Sequence, residues 1–298
     1  MTALWLVLIC LGAGMLVARV KHPEGLSLSL NWWMLYIALP ALILEQITQV
    51  DLALDMLYPA IALWGLFLGA WWLTALVGRL RGWSRGQIGA LVLTAGLGNT
   101  AFVGYPLIET LRGSEALGRA VLADQLGSFL VLSSLGVVVA ALYAGHRVAP
   151  AQLLRRVLVF PAFIALIAAF SLRTVGGLPA PLLDVASRLG ATLTPLALFS
   201  VGMQLQLRLP GNEAGLLAWG LGWKLLLAPL LIWGVAVAIG VPSVSYSVAV
   251  LQGAMAPMIT AGIMAQQHGL APGLASRMVG IGTLISLLSV PLFSYILP

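Results

Sequence analysis

The chain carries very little charge. Of its 298 residues, 8% are Asp, Glu, Lys or Arg and 61% are hydrophobic, whereas soluble domains carry roughly 25% charged residues. Mean hydropathy is +1.04 for a mass of 31.3 kDa. So few charges cannot cover a water-facing globule of this size. That excludes a soluble enzyme, a nucleic-acid binder and a disordered regulator. A single cysteine, Cys10, excludes a disulfide framework. The three histidines, His22, His146 and His268, lack metal-ligand spacing, so neither a metal nor another cofactor is expected. There is no GxxxxGK phosphate loop, which argues against an ATP-driven pump. There is also no HExxH pair, the motif a membrane-embedded metal hydrolase would use. The chain is therefore not read as an enzyme.

What remains is an all-α polytopic membrane protein, because a lipid-facing surface needs no charge. At about 20 apolar residues per span, this length holds about ten helices and no extramembrane domain of folding size. Ten apolar runs lie near 3–19, 29–49, 56–78, 87–110, 120–144, 157–173, 183–206, 216–239, 244–267 and 275–297. The first, Thr2 to Val17, reads as a span and not as a signal peptide, since Arg19 follows it and no basic residue precedes it. The whole chain reads as one transporter domain lying in lipid.

Basic residues in the loops set the orientation. Loops after odd-numbered runs hold Arg19, Lys21, Arg79, Arg81, Arg85, Arg147, Arg155, Arg156, Arg208 and Arg277. Loops after even-numbered runs hold only Arg112, Arg119, Arg173 and Arg188. Ten against four places the odd loops in the cytoplasm and both termini outside the cytoplasmic (inner) membrane.

The two halves, 1–150 and 151–298, lie over each other at an offset near 155. Pro40 and Pro195 are 155 residues apart, and Pro106 and Pro257 are 151 apart. Five runs per half is an odd number, so the second half must be inverted. In runs four and nine, Gly96–Pro106 and Gln252–Pro257 interrupt the helix. Paired Gly/Pro-interrupted segments in inverted halves point to a transporter's midplane site. A broken helix leaves free N–H and C=O groups, which are costly in hydrocarbon unless they line a cavity or bind something. With Pro106 and Pro257 in the first turns of the second half-helices, no N–H is lost there. Two positive helix ends then converge, which suits an anion.

The stretches NWWMLYIALPALIL (31–44), GLGNTAFVGYPL (96–107), TPLALFSVGMQL (194–205) and GAMAPMITAGIMAQQHG (253–269) resemble the auxin efflux carrier family, over essentially the whole chain. The resemblance implies ten helices in two inverted five-helix repeats, with helices 4 and 9 broken and crossing. It also implies a scaffold and a moving transport domain with elevator-type alternating access, in a fold similar to that of bile acid:sodium symporters. The short loop between runs five and six is similar to that of prokaryotic members, which implies small carboxylates such as malonate or malate.

The expected function is secondary active transport of a small organic anion, a carboxylate or an auxin-like acid, with a proton or sodium as coupling ion. A sodium-coupled symporter of the bile acid type is the alternative, ahead of a channel or a membrane-embedded enzyme. Expected substrate-binding residues are Asn99, Thr100, Gly104, Pro106, Gln125, Gln252, Met255, Pro257 and Thr260. Ionisable residues inside spans default to functional roles. Asp124 could take and release a proton, or be a helix-start carboxylate. Lys224 could pair with Asp124, attract the anion, or be structural. Glu45 is expected at the interface. Gly65 and Gly69 match the GxxxG packing pattern and allow a homodimer contact.

Overall fold

The computed structural model describes residues 2–50, 52–146, 149–205 and 213–298. Arg147 and Arg208, both counted for orientation, lie outside the described residues. Among the described residues every regular element is helical. In order these are α1 (Thr2–Val17), α2 (Leu26–Trp33), α3 (Leu39–Gln49), α4 (Leu57–Leu80), α5 (Arg85–Gly96), α6 (Gly104–Arg112), α7 (Ser114–Ala123), α8 (Val137–Ala144), α9 (Pro150–Val159), α10 (Pro161–Thr174), α11 (Ala180–Ala191), α12 (Leu193–Gln204), α13 (Ala214–Gly222), α14 (Ala228–Ala238), α15 (Ser243–Gly253), α16 (Ile259–Gln267) and α17 (Pro272–Ile296).

Among the described residues, six continuous stretches are long and apolar enough to cross a membrane: Leu26–Gln49, Leu54–Leu80, Ser114–Ala144, Ala180–Gln204, Ala214–Ala238 and Pro272–Ile296. The pair α9 and α10, bent by 63°, makes a seventh when taken as one span. The sixth apolar run reads in sequence as one helix. Phe160 is extended and Pro161 opens α10, and proline confines the residue before it to extended backbone.

Several spans contain π turns, where one extra residue widens the helix. One covers Met34–Ala38 and another Trp223–Leu227. Each is followed at the second position of the next helix by a proline, Pro40 in α3 and Pro229 in α14. Proline lacks an N–H and its ring clashes with the carbonyl four residues back. The wider turn relieves both problems without breaking the span. The span holding Asp124 has two π turns, Asp124–Phe129 and Leu132–Gly136.

Most of the helices pack as two groups, with α6 and α7 touching both. α1, α2, α3, α10, α11 and α12 pack mainly on one another. α4, α5, α8 and α13 to α17 form the other group, around α5 and α15. Within the first group, α1 and α12 touch through glycine. A methyl on Gly14 would overlap the Phe199 carbonyl, and one on Gly202 the Leu11 carbonyl. Close backbone approach of this kind replaces the hydrophobic effect, which is absent between helices in lipid. Gly69 of the GxxxG pair is used inside the chain: its face lies against the Trp223 ring, while Gly65 faces open space.

Candidate functional site

The chain leaves helical geometry between α5 and α6 and again between α15 and α16. The two interruptions meet. Gly98 and Pro257 form an antiparallel bridge. The Asn99 N–H donates to the Ala256 carbonyl at 2.7 Å, and the Met258 N–H donates to the Leu97 carbonyl at 2.9 Å. Both bonds flank the Gly98–Pro257 pair, which exchanges none itself. Pro257 therefore breaks no bond by lacking an N–H. Four backbone groups that lipid could not satisfy are thus paired across the two halves.

Pro106 is the third residue of α6, inside the first turn as expected. Pro257 is not in the first turn of its half-helix. It sits in the bridge, two residues before α16. Its ring occupies the space beside Gly282 of α17, where a methyl would overlap it.

Asn99 organises the turn after the first break. Its Oδ1 accepts from the Phe102 N–H at 3.2 Å, and its carbonyl accepts from the Gly104 N–H at 3.0 Å. Its Nδ2 is buried without a partner. Asp124 lies behind this turn. One carboxylate oxygen accepts from the Thr100 hydroxyl. The other accepts from the Tyr105 hydroxyl and the Gln125 amide, both at 2.8 Å. The carboxylate thus fastens the first break to the π turn of the next span.

A cavity of about 300 Å³ opens beside this network. Its polar lining is Asn99, Asp124, Gln125, Ser133, Thr260 and Arg156. Its apolar wall includes Phe102, Phe129, Phe160 and Met258. Phe129 and Phe160 stack with centroids 4.5 Å apart, so the α9–α10 bend closes one side. A second cavity of about 240 Å³, lined by His146, Gln152, Arg156 and His268 among others, shares Val137 and Arg156 with the first.

Of the residues singled out in sequence, Asn99, Asp124, Gln125 and Thr260 line one cavity. Thr100 stands behind it on Asp124. Gly104 and Met255 pack together at the crossing: a methyl on Gly104 would lie 3.6 Å from the Met255 side chain and 3.4 Å from the Asn99 carbonyl. Gln252 is fully buried elsewhere and donates to the Ala120 carbonyl at 3.0 Å, tying α15 to α7.

Asp124 and Lys224 do not form an ion pair. The three donors above satisfy the carboxylate, and the Lys224 ammonium donates to the Gly253 carbonyl at 2.8 Å. Glu45 lines a different, polar cavity of about 700 Å³ with Glu115 and Arg119. Sequence reasoning missed Arg156, counted only as a topology signal, and Tyr105, whose hydroxyl looked like part of an apolar run.

Two short matches to catalytic patterns are structural. Gly82-Trp83-Ser84-Arg85-Gly86 reads as GxSxG. However, Ser84 caps α5 by accepting from the Gln87 N–H, and Gln87 returns the bond to the Ser84 N–H. Asp55, the second aspartate of an aspartate pair four residues apart, is bonded to Arg119 and Ser245.

An apolar helical chain whose two non-helical segments bond to each other beside a partly polar cavity suits a membrane transporter. The chain belongs to the membrane transport protein family, the auxin efflux carrier family, whose model matches residues 2–294. An uncharacterized transporter of Methanothermobacter thermautotrophicus is 29% identical over 297 residues, covering 98% of this chain and 96% of the relative. A second, from Methanocaldococcus jannaschii, is 25% identical over 218 residues, covering 71% and 69%. The protein is thus a multi-pass membrane transporter.

Proposed function

We propose that the chain is a secondary active carrier for a carboxylate with an apolar body, moved by elevator-type alternating access and coupled to an ion gradient. In this reading ten spans form two inverted repeats of five. The α5–α6 and α15–α16 pairs are the two broken spans. The group containing α1, α3 and α12 is the scaffold, and the group built on α5 and α15 moves.

The observation that carries the reading is the unpartnered Asn99 Nδ2, buried at the edge of the cavity. A buried amide donor without an acceptor costs about 1–3 kcal/mol, and a substrate carboxylate would remove that cost. Arg156 supplies the cation at the same cavity, and no acidic side chain pairs with it among the described residues. The aromatic and aliphatic walls favour an acid with a hydrocarbon or aromatic part over a compact diacid such as malonate.

Flux into proteoliposomes tests this. Monocarboxylates of rising apolar size should be taken up better than malonate or malate, until the cavity is filled. Preference for the compact diacids would overturn the substrate class, and no carboxylate flux under any imposed gradient would overturn the carrier reading.

The orientation is tested by labelling. With Cys10 replaced, a cysteine at Arg81 should react only from the cytoplasm and one at Val175 only from outside. Both positions are exposed. The Arg173 guanidinium is a poor choice, because it donates to the carbonyls of Ile47, Thr48 and Val50 at the end of α3. Reversed labelling would invert the proposed topology.

A further inference from the structure

Lys224 is fully buried, and no acidic side chain pairs with it among the described residues. Its place is set by the π turn Trp223–Leu227, which reorients the side chains following α13. Trp223 packs against Gly69, and Lys224 points to the crossing. Its Nζ donates to the carbonyl of Gly253, the last residue of α15, at 2.8 Å. The position a methyl would take on Gly98 is 2.8 Å from Nζ and 3.3 Å from the Gln252 carbonyl oxygen. The ammonium therefore lies between the end of α15 and the extended segment that follows α5.

Two half-helices end here, α5 at Gly96 and α15 at Gly253. Each C-terminal end carries roughly half a negative charge. Unwound carbonyls and half-helix C-terminal ends are the groups that coordinate a coupling cation in transporters with discontinuous helices. Here a covalently tethered ammonium stands among them. Gly98 fits the same picture, since any larger residue would crowd Nζ.

We propose that the Lys224 ammonium is a built-in cation at the helix crossing, filling the place of a sodium ion, so that folding and substrate uptake need no sodium. A mobile cation could bind this place only when the side chain is removed. The uptake part rests on the carrier reading above; the stability part does not.

The test uses purified full-length protein. Wild type should show the same melting midpoint and the same uptake in sodium chloride as in N-methylglucamine chloride of equal ionic strength. Lys224→Ala should melt about 2–5 °C lower in N-methylglucamine. It should recover at least half of that in sodium or methylammonium, because an ion bound only by the folded state stabilises it by mass action. A wild-type requirement for sodium in either assay overturns the proposal. So does a Lys224→Ala variant that melts with wild type, or one that neither cation restores. If Lys224→Ala gives no monodisperse protein, Gly98→Ala decides: its methyl should displace the ammonium and lower the midpoint, and a midpoint equal to wild type overturns the proposal. If wild type takes up no carboxylate at all, the carrier reading fails, and the melting data still decide the place of the ammonium.

Discussion

Asn99→Asp should abolish carboxylate binding, while Asn99→Ala should weaken it about ten- to a hundredfold, the equivalent of one charge-assisted hydrogen bond of roughly 1.5–3 kcal/mol. The two variants separate the two ends of the side chain. Oδ1 holds the turn by accepting from the Phe102 N–H, and Nδ2 is the free donor. Aspartate keeps an oxygen for the turn and replaces the donor by a negative atom facing the substrate's own charge. Alanine removes both. A purely structural Asn99 therefore gives the opposite order, with aspartate the milder change. Equilibrium binding of the best carboxylate from the flux series, measured beside a thermal melt of each variant, distinguishes these. Equal affinity in wild type and Asn99→Asp would place the substrate elsewhere.

The helix interruptions were legible because glycine, asparagine and proline at 96–106 and 252–257 disrupt α-helical geometry or its hydrogen bonding, whatever their surroundings. That the interruptions bond to each other was not legible. Gly98 and Pro257 are 159 residues apart, and a backbone bridge leaves no mark in side-chain type. For the same reason Pro257 reads in sequence as a helix-start proline although its place is in the bridge. Gln252 reads as a ligand because a mid-span amide must find a partner; its partner is the Ala120 carbonyl, a group every sequence has at every position. Charge complementarity suggests an Asp124–Lys224 pair, yet each found neutral partners first. The π turns that aim Asp124 and Lys224 have no signature beyond Pro229 after the second. Arg156 was visible as a loop charge, but only the bend at Phe160 brings it to the cavity.

Asp124→Asn should be the most damaging of the conservative changes. Three donors converge on the two carboxylate oxygens, from Thr100, Tyr105 and Gln125. Asparagine offers one oxygen and one NH₂ group, so either the Thr100 hydroxyl must turn round to accept, or the NH₂ faces the Tyr105 hydroxyl and the Gln125 amide donor. Each such mismatch costs about 1–3 kcal/mol, and a network loses more than its separate bonds suggest. A melting midpoint about 2–5 °C lower is expected. Tyr105→Phe removes a single bond and should cost less. Made in the Asp124→Asn background it should cost almost nothing, because the carboxylate it served is gone. A proton-carrying Asp124 behaves differently: the asparagine variant melts with wild type, loses proton-driven uptake and keeps substrate exchange. Melting curves of the two single variants and the double variant, read beside both flux modes, tell the roles apart. The structure favours the first outcome, because Asp124 holds Thr100, the neighbour of Asn99 in the turn, and Tyr105 at the start of α6. Loosening that carboxylate would displace the binding site itself, so the asparagine variant should lose exchange along with driven uptake.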